Sequence, residues 1–141
     1  MTNMINRRHT VLTIIAAALI LLATTLTGCR KGSINGDLDG MWQILTIENL
    51  ADGTTEDIKD SQLYYCLYLH TANLTKRGGV MFTANMTYEG DKLTLDFPTA
   101  RPGALTEWGI KGTSVTFTIE HLTGSDLVMC SSDHRLTFRK Y

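Results

Sequence analysis

From Trp42 to the end of the chain, apolar and polar positions alternate in short runs, and the period is that of strands. Residues 42–49, 63–74, 80–88, 92–97, 114–122, 126–130 and 135–141 are each rich in β-branched, aromatic or aliphatic side chains. None sustains a helical period. Within them a period of two places Leu63, Tyr65, Leu67 and Leu69 on one face, with Leu93, Leu95 and Phe97, then Val115, Phe117, Ile119 and His121, and Val80, Phe82, Ala84, Met86 and Tyr88 forming matching rows. The gaps carry turn chemistry: Lys76-Arg77-Gly78-Gly79, Glu89-Gly90-Asp91, Thr123-Gly124-Ser125 and Ser131-Ser132-Asp133. Connections this short make consecutive strands antiparallel neighbours, so the chain is all-β and runs as an up-and-down meander. Seven strands, with an eighth expected within 54–60 or 110–113, suffice to curl the sheet and close it as a barrel, which removes both exposed edges. A β-sandwich is the alternative. It needs long crossover connections, and residues 98–112 are the one candidate.

The first part of the chain follows a different pattern. Arg7 and Arg8 precede an uncharged apolar run, residues 11–23, which has the length of a signal-peptide core and is short for a bilayer span. Leu26-Thr27-Gly28-Cys29 then resembles a bacterial lipobox. That resemblance implies cleavage before Cys29 and a diacylglyceryl thioether on its sulfur, so that membrane lipid held through Cys29 is a partner of the mature chain. Arg30 and Lys31 are not the aspartate that favours inner-membrane retention, which points to the outer membrane and a periplasm-facing protein, with the cell surface as the alternative. The expected organisation is a signal peptide over 1–28, a lipidated N-terminus and polar tether over 29–40, and a barrel over 41–141.

Composition narrows the class. With 43% hydrophobic and 19% charged residues the chain is not disordered, and its formal net charge of -1 becomes more acidic once Arg7 and Arg8 leave with the signal. Nucleic acid is therefore not an expected partner.

Gly40-Met41-Trp42 at the head of the first strand is similar to the lipocalin G-x-W signature, and Arg139 in the last strand matches the arginine that in lipocalins packs over that tryptophan. The ending Leu136-Thr137-Phe138-Arg139-Lys140-Tyr141, with Asp126-Leu127-Val128-Met129 before it, resembles small bacterial lipocalin-like lipoproteins. The resemblance implies a barrel closed at its base by Trp42 and Arg139 and a binding function without catalysis. An eight-strand barrel either fills with side chains or holds one small ligand. If it holds an apolar ligand, Trp42, Phe82, Trp108 and Phe117 are the expected lining. If it does not, the outer face of Tyr64, Cys66, Tyr68 and His70 is a candidate surface for an envelope protein, whose partner would be an inhibited enzyme or a larger complex.

Residues 98–112 are set apart by Pro98 and Pro102, which prevent regular pairing, and by Leu105, Trp108 and Ile110, spaced so that one helical turn buries them together. They are expected to plug or cover the barrel mouth. Reactive chemistry is sparse. Cys66 and His70, read as one strand, lie roughly 13 Å apart and do not share a metal; Cys130 and His134 flank a turn but are only two ligands. A Cys66–Cys130 bridge is compatible with an oxidising compartment but spans about three strand spacings, ~14 Å, in a meander. Ser131, Ser132, Asp133 and His134 have the residue types of a hydrolytic triad without a nucleophile elbow, and Glu107 and Glu120 have no evident carboxylate partner. No phosphate-binding loop is present, and neither a metal nor a cofactor is expected.

Overall fold

The computed structural model describes residues 2–25 and 33–141. Helix α1, Thr2–Thr25, contains the apolar run of residues 11–23. Among the described residues no helix is long and apolar enough to cross a membrane. Cys29, the expected lipidation site, lies outside the described residues.

A separate compact unit begins at Ser33 and runs to Tyr141. Its alternating sequence forms nine strands: β1 Gly40–Asn49, β2 Thr55–Asp57, β3 Leu63–Tyr68, β4 Thr71–Lys76, β5 Gly79–Glu89, β6 Lys92–Asp96, β7 Ser114–Leu122, β8 Asp126–Cys130 and β9 His134–Lys140. All neighbours are antiparallel, in the order β2-β1-β3-β4-β5-β6-β7-β8-β9, and β1 also pairs with β9. That last pairing closes eight strands into a barrel and excludes the sandwich. β1 divides its other edge in two. Its first residues pair with β3, while Thr46, Ile47 and Glu48 pair with the short ninth strand, β2.

The eighth barrel strand comes from an unexpected break. Residues 63–74 are not one strand but a hairpin, with Leu69 and His70 as its two-residue turn and Leu69 at φ 57. Such a turn usually announces itself by Gly, Asn or Asp, and none is present. Thr55–Asp57 does form a strand, as the 54–60 segment suggested, and 110–113 does not.

Three positions leave the rows expected of them, each for a local reason. Leu69 is carried out of the face by the turn. Val80 is displaced because β5 holds one residue more than β4 between Phe82 and Val80, and His121 because β7 holds one more than β8 between Ile119 and His121. An extra residue reverses the alternation beyond it, so both side chains face solvent. A similar slip at Leu45 turns Ile47 inward opposite Leu136.

The barrel base corrects two further expectations. Residues 36–40, read as tether, belong to the fold: Gly36–Leu38 makes a 3-10 turn, Leu38 is buried, and its carbonyl accepts the Trp42 indole N–H at 2.7 Å. The cation over Trp42 is Lys140, not Arg139. Trp42 pairs in register with Lys140 and Gln43 with Arg139, so Lys140 shares the inward face and Arg139 the outward one. Lys140 Nζ lies 4.9 Å from the indole centroid and donates to the Asp37 carbonyl at 2.9 Å. Gly40, at φ 149, leaves the space that the Lys140 stem crosses; a Cβ there would collide with Lys140 Cε. Arg139 instead donates to Gln43 Oε1 outside the barrel at 2.9 Å.

Arg135 bridges three strands. It donates to Glu48 at 2.9 Å on β1 and to Glu120 at 2.8 Å on β7, reaching across β8. The hydrogen bond from Arg135, aided by its charge, holds the Glu120 carboxyl below the usual carboxylate range.

Two outcomes are expected. Lys140→Met should lower stability by about 1–2 kcal/mol, the scale of a shielded cation–π contact plus one hydrogen bond, and Arg139→Ala by less than about 1 kcal/mol. Denaturation followed by Trp42 fluorescence in a Trp108→Phe background measures both. Because Glu120 is more acidic when folded, its contribution is full above its unfolded value of about 4.3 and is lost as pH falls through the lower folded value. Glu120→Gln should therefore flatten the acid side of the stability profile and leave its alkaline side unchanged.

Candidate functional site

Pro98 and Pro102 end the pairing after β6, and the backbone bond from Phe97 N–H to the Thr113 carbonyl at 2.8 Å pinches the two ends of the intervening loop together. The loop folds back over the barrel through the 3-10 turn Thr106–Trp108. Leu105, Trp108 and Ile110 are buried, as their spacing suggested. Gly109 makes this possible. Its φ of 73 suits glycine, and a Cβ would strike Leu136 in the core. Tyr65 donates to the Trp108 carbonyl at 2.6 Å from within the barrel, and the Phe82 ring meets the Trp108 ring edge-on at 5.5 Å. Complete burial pushes the Tyr65 phenol well above its ordinary pKa, so it remains a donor.

The four aromatics expected to line a ligand pocket therefore serve as packing. Trp42 and Phe117 are 0% exposed and Trp108 is 1% exposed, so no water-sized space borders them, and Phe82 packs half-buried against Trp108. With eight strands the interior is only about as wide as the side chains that point into it, and the lid supplies three more.

A cleft of ≈ 550 Å³ lies at the mouth, outside the packed interior. Its apolar floor is Ile47, Ile58 and Leu63. Thr55 and Glu56 of β2 form one wall and Thr106 and Glu107 of the lid another. Local bonds hold these walls in place. Ile58 N–H donates to the Leu45 carbonyl at the β1 irregularity at 2.9 Å, the Asp52 carboxylate accepts from Thr54 N–H at 2.9 Å, and Lys76 Nζ pairs with Glu107 at 2.5 Å. Asn49 and His134, partners across β1 and β9, border this cleft and a neighbouring one of ≈ 400 Å³. Among the buried side-chain polar atoms of the described residues, Trp108 Nε1 and His134 Nδ1 have no hydrogen-bond partner. The cleft thus combines an apolar floor with hydroxyl, amide, imidazole and carboxylate groups able to form hydrogen bonds.

The cleft escaped the sequence reading. Most of its wall comes from residues 54–61 and 106–107, which have no long period; the single signal was the run of hydroxyl and acidic residues Thr54-Thr55-Glu56-Asp57.

The other candidates have structural roles. Ser131 Oγ accepts from the backbone N–H groups of Asp133 and His134 at 3.2 and 3.1 Å, and Ser132 donates to Asp133, so these residues secure the β8–β9 turn rather than form a triad. Glu107 pairs with Lys76 and Glu120 with Arg135. Cys66 and Cys130 are free thiols, and burial raises the pKa of both. Among the described residues no three His, Cys, Asp or Glu side chains converge as a metal site would require. On the outer face of β3, Tyr64 is covered by the Tyr141 ring at 5.3 Å while Tyr68 and His70 are exposed.

A closed meander barrel with a cleft at its mouth is the architecture of a binding module. The lipocalin-like domain family matches residues 24–141, and the chain belongs to that family. Proteins of this family are typically binding proteins rather than enzymes. Among solved structures the chain is similar to a lipocalin-like protein from Bacteroides uniformis, with 27% identity over 75% of this chain and 100% of that one and a TM-score of 0.62. It also resembles in fold an uncharacterized protein from Bacteroides eggerthii, with 17% identity over 73% and 98% of the two chains and a TM-score of 0.57. No curated protein matches it.

If the lid is packing, Trp108→Ala should cost about 3–5 kcal/mol and open a void that takes up an apolar dye. Dye fluorescence and denaturation curves of the two proteins measure this; uptake by the unmodified protein at the same level would instead show a ligand space beneath the lid.

Proposed function

We propose that the chain is a lipid-anchored binding module of the bacterial outer membrane, facing the periplasm, that takes its small ligand at the mouth of a filled barrel. The filled interior carries this reading: with Trp42, Phe117 and Trp108 enclosed by protein, a ligand is received in the cleft beside the lid and not beneath it. The cleft favours a molecule with an apolar segment to cover Ile47, Ile58 and Leu63 and with hydroxyl or amino donors for Glu56, Glu107, Asn49 and the threonine hydroxyls. The anchor is supported by the basic start at Arg7 and Arg8, the apolar run and Leu26-Thr27-Gly28-Cys29. No step of this reading calls for catalysis.

A second reading, docking of an envelope protein, is favoured by Val80 and Met81, which the extra residue in β5 exposes near the lid.

Native mass spectrometry of the protein extracted from its own envelope tests the first reading. A retained small mass is expected, and Thr55→Trp, whose indole would fill the cleft, should lose it. Retention of no mass, or equal retention by the variant, would sink the cleft assignment and leave the docking reading. Cys29→Ser tests the anchor separately: it should leave the precursor uncut or release the protein from the membrane fraction, and unchanged processing and partitioning would refute lipidation.

A further inference from the structure

The two ends of the barrel differ in character, and the lipid is tied to one of them. The compact unit begins at Ser33, whose hydroxyl donates to Asp39, and Asn35 Nδ2 donates to the Leu69 carbonyl at 2.8 Å. The chain therefore joins the barrel beside the β3–β4 turn, at the base. Four residues of chain lead from Cys29 to Ser33, and at about 3.3–3.6 Å each they reach no more than ~14 Å. β1 alone has ten residues, or roughly 30 Å of strand between base and mouth. A lipid on Cys29 therefore holds the base closer to the bilayer than the mouth.

The base presents an apolar surface. Ile34 is 57% exposed, Tyr68 63%, Leu69 43% and, at the end of β9, Tyr141 77%. Leu69 is the most telling of these. A branched side chain at φ 57 occupies a conformation that such residues seldom adopt, and the turn holds it out in solvent where Asn or Gly would fit without strain. Charge at this end is mixed. Lys140 is turned inward onto Trp42 and the Asp37 carbonyl, while the exposed Lys92 and Arg139 lie beside Glu89, Asp91 and Asp126 of the other base turns.

Resting on the lipid anchor at Cys29, we infer that Ile34, Tyr68 and Leu69 form a membrane-seating surface that inserts its apolar side chains into the interfacial layer of the bilayer. Aromatic and aliphatic side chains favour that layer, and their burial there needs no anionic headgroup. The ligand cleft, at the opposite end, then opens away from the membrane and is supplied from solution.

The test uses the full chain, expressed so that it is processed, and reconstituted into phosphatidylcholine vesicles containing brominated acyl chains. Leu69→Trp supplies a reporter at the base, Tyr68→Trp a second in case the first disturbs the turn, and Arg101→Trp, in the exposed lid, a control at the mouth. Both base reporters should be quenched by brominated lipid about twofold more strongly than the control, at the depth of an interfacially seated side chain, and added salt should not reverse this. Proteins that float with the vesicles but show equal quenching at base and mouth would overturn the seating surface and leave the anchor standing. Failure of the proteins with intact Cys29 to float would overturn the anchor and the seating surface together.

Discussion

The pairing of β1 with β9 is the constraint on which the other features depend, because the first and last strands hold the sheet closed only in one register. Seven register pairs run from Trp42 and Lys140 to Asn49 and His134, with a slip at Leu45. At the lower end this register puts a lysine stem across Gly40 and its ammonium over Trp42. In the middle it brings Ile47 over Leu136, the side chain that Gly109 must pass. At the upper end it sets Arg135 beside Glu48 and stations His134 at the mouth. A shift of one residue would move Lys140, Ile47 and His134 to the outer face and turn Arg135 and Glu48 inward.

Closure with eight strands also sets how much room is left. The interior is narrow, the rows of apolar side chains occupy it, and the lid supplies Leu105, Trp108 and Ile110 from above. The family's barrel is thus used here as a solid support. On the proposed reading recognition moves to the rim, where loops can present polar groups without the desolvation cost that the same groups would meet in the core.

How much of this was legible in the sequence depended on the range of the interaction involved. Alternation and glycine-bearing turns disclosed most of the strands, and the spacing of Leu105, Trp108 and Ile110 disclosed the lid, because both are local patterns. The Leu69–His70 turn was hidden because apolar residues run through it without a turn former. Arg139 and Lys140 are adjacent, and which of them covers Trp42 is decided by cross-strand register, which a single strand does not encode. The exposed positions of Val80 and His121 follow from extra residues that count only against a partner strand. The cleft was invisible for a related reason: its walls come from segments distant in sequence and too short to carry a period.

The division of one β1 edge between β3 and β2 has an evolutionary consequence. The segment from Asn49 to Leu63 supplies most of the cleft wall, yet β2 pairs with β1 alone, beyond the stretch where β1 meets β3. Between those two ends, residues 50–62 can be exchanged, lengthened or shortened without breaking any strand-to-strand rung of the eight-strand closure. On the proposed reading, selectivity and foldability are thereby assigned to different stretches of the same chain, so that the cleft can be remodelled while the closure is kept.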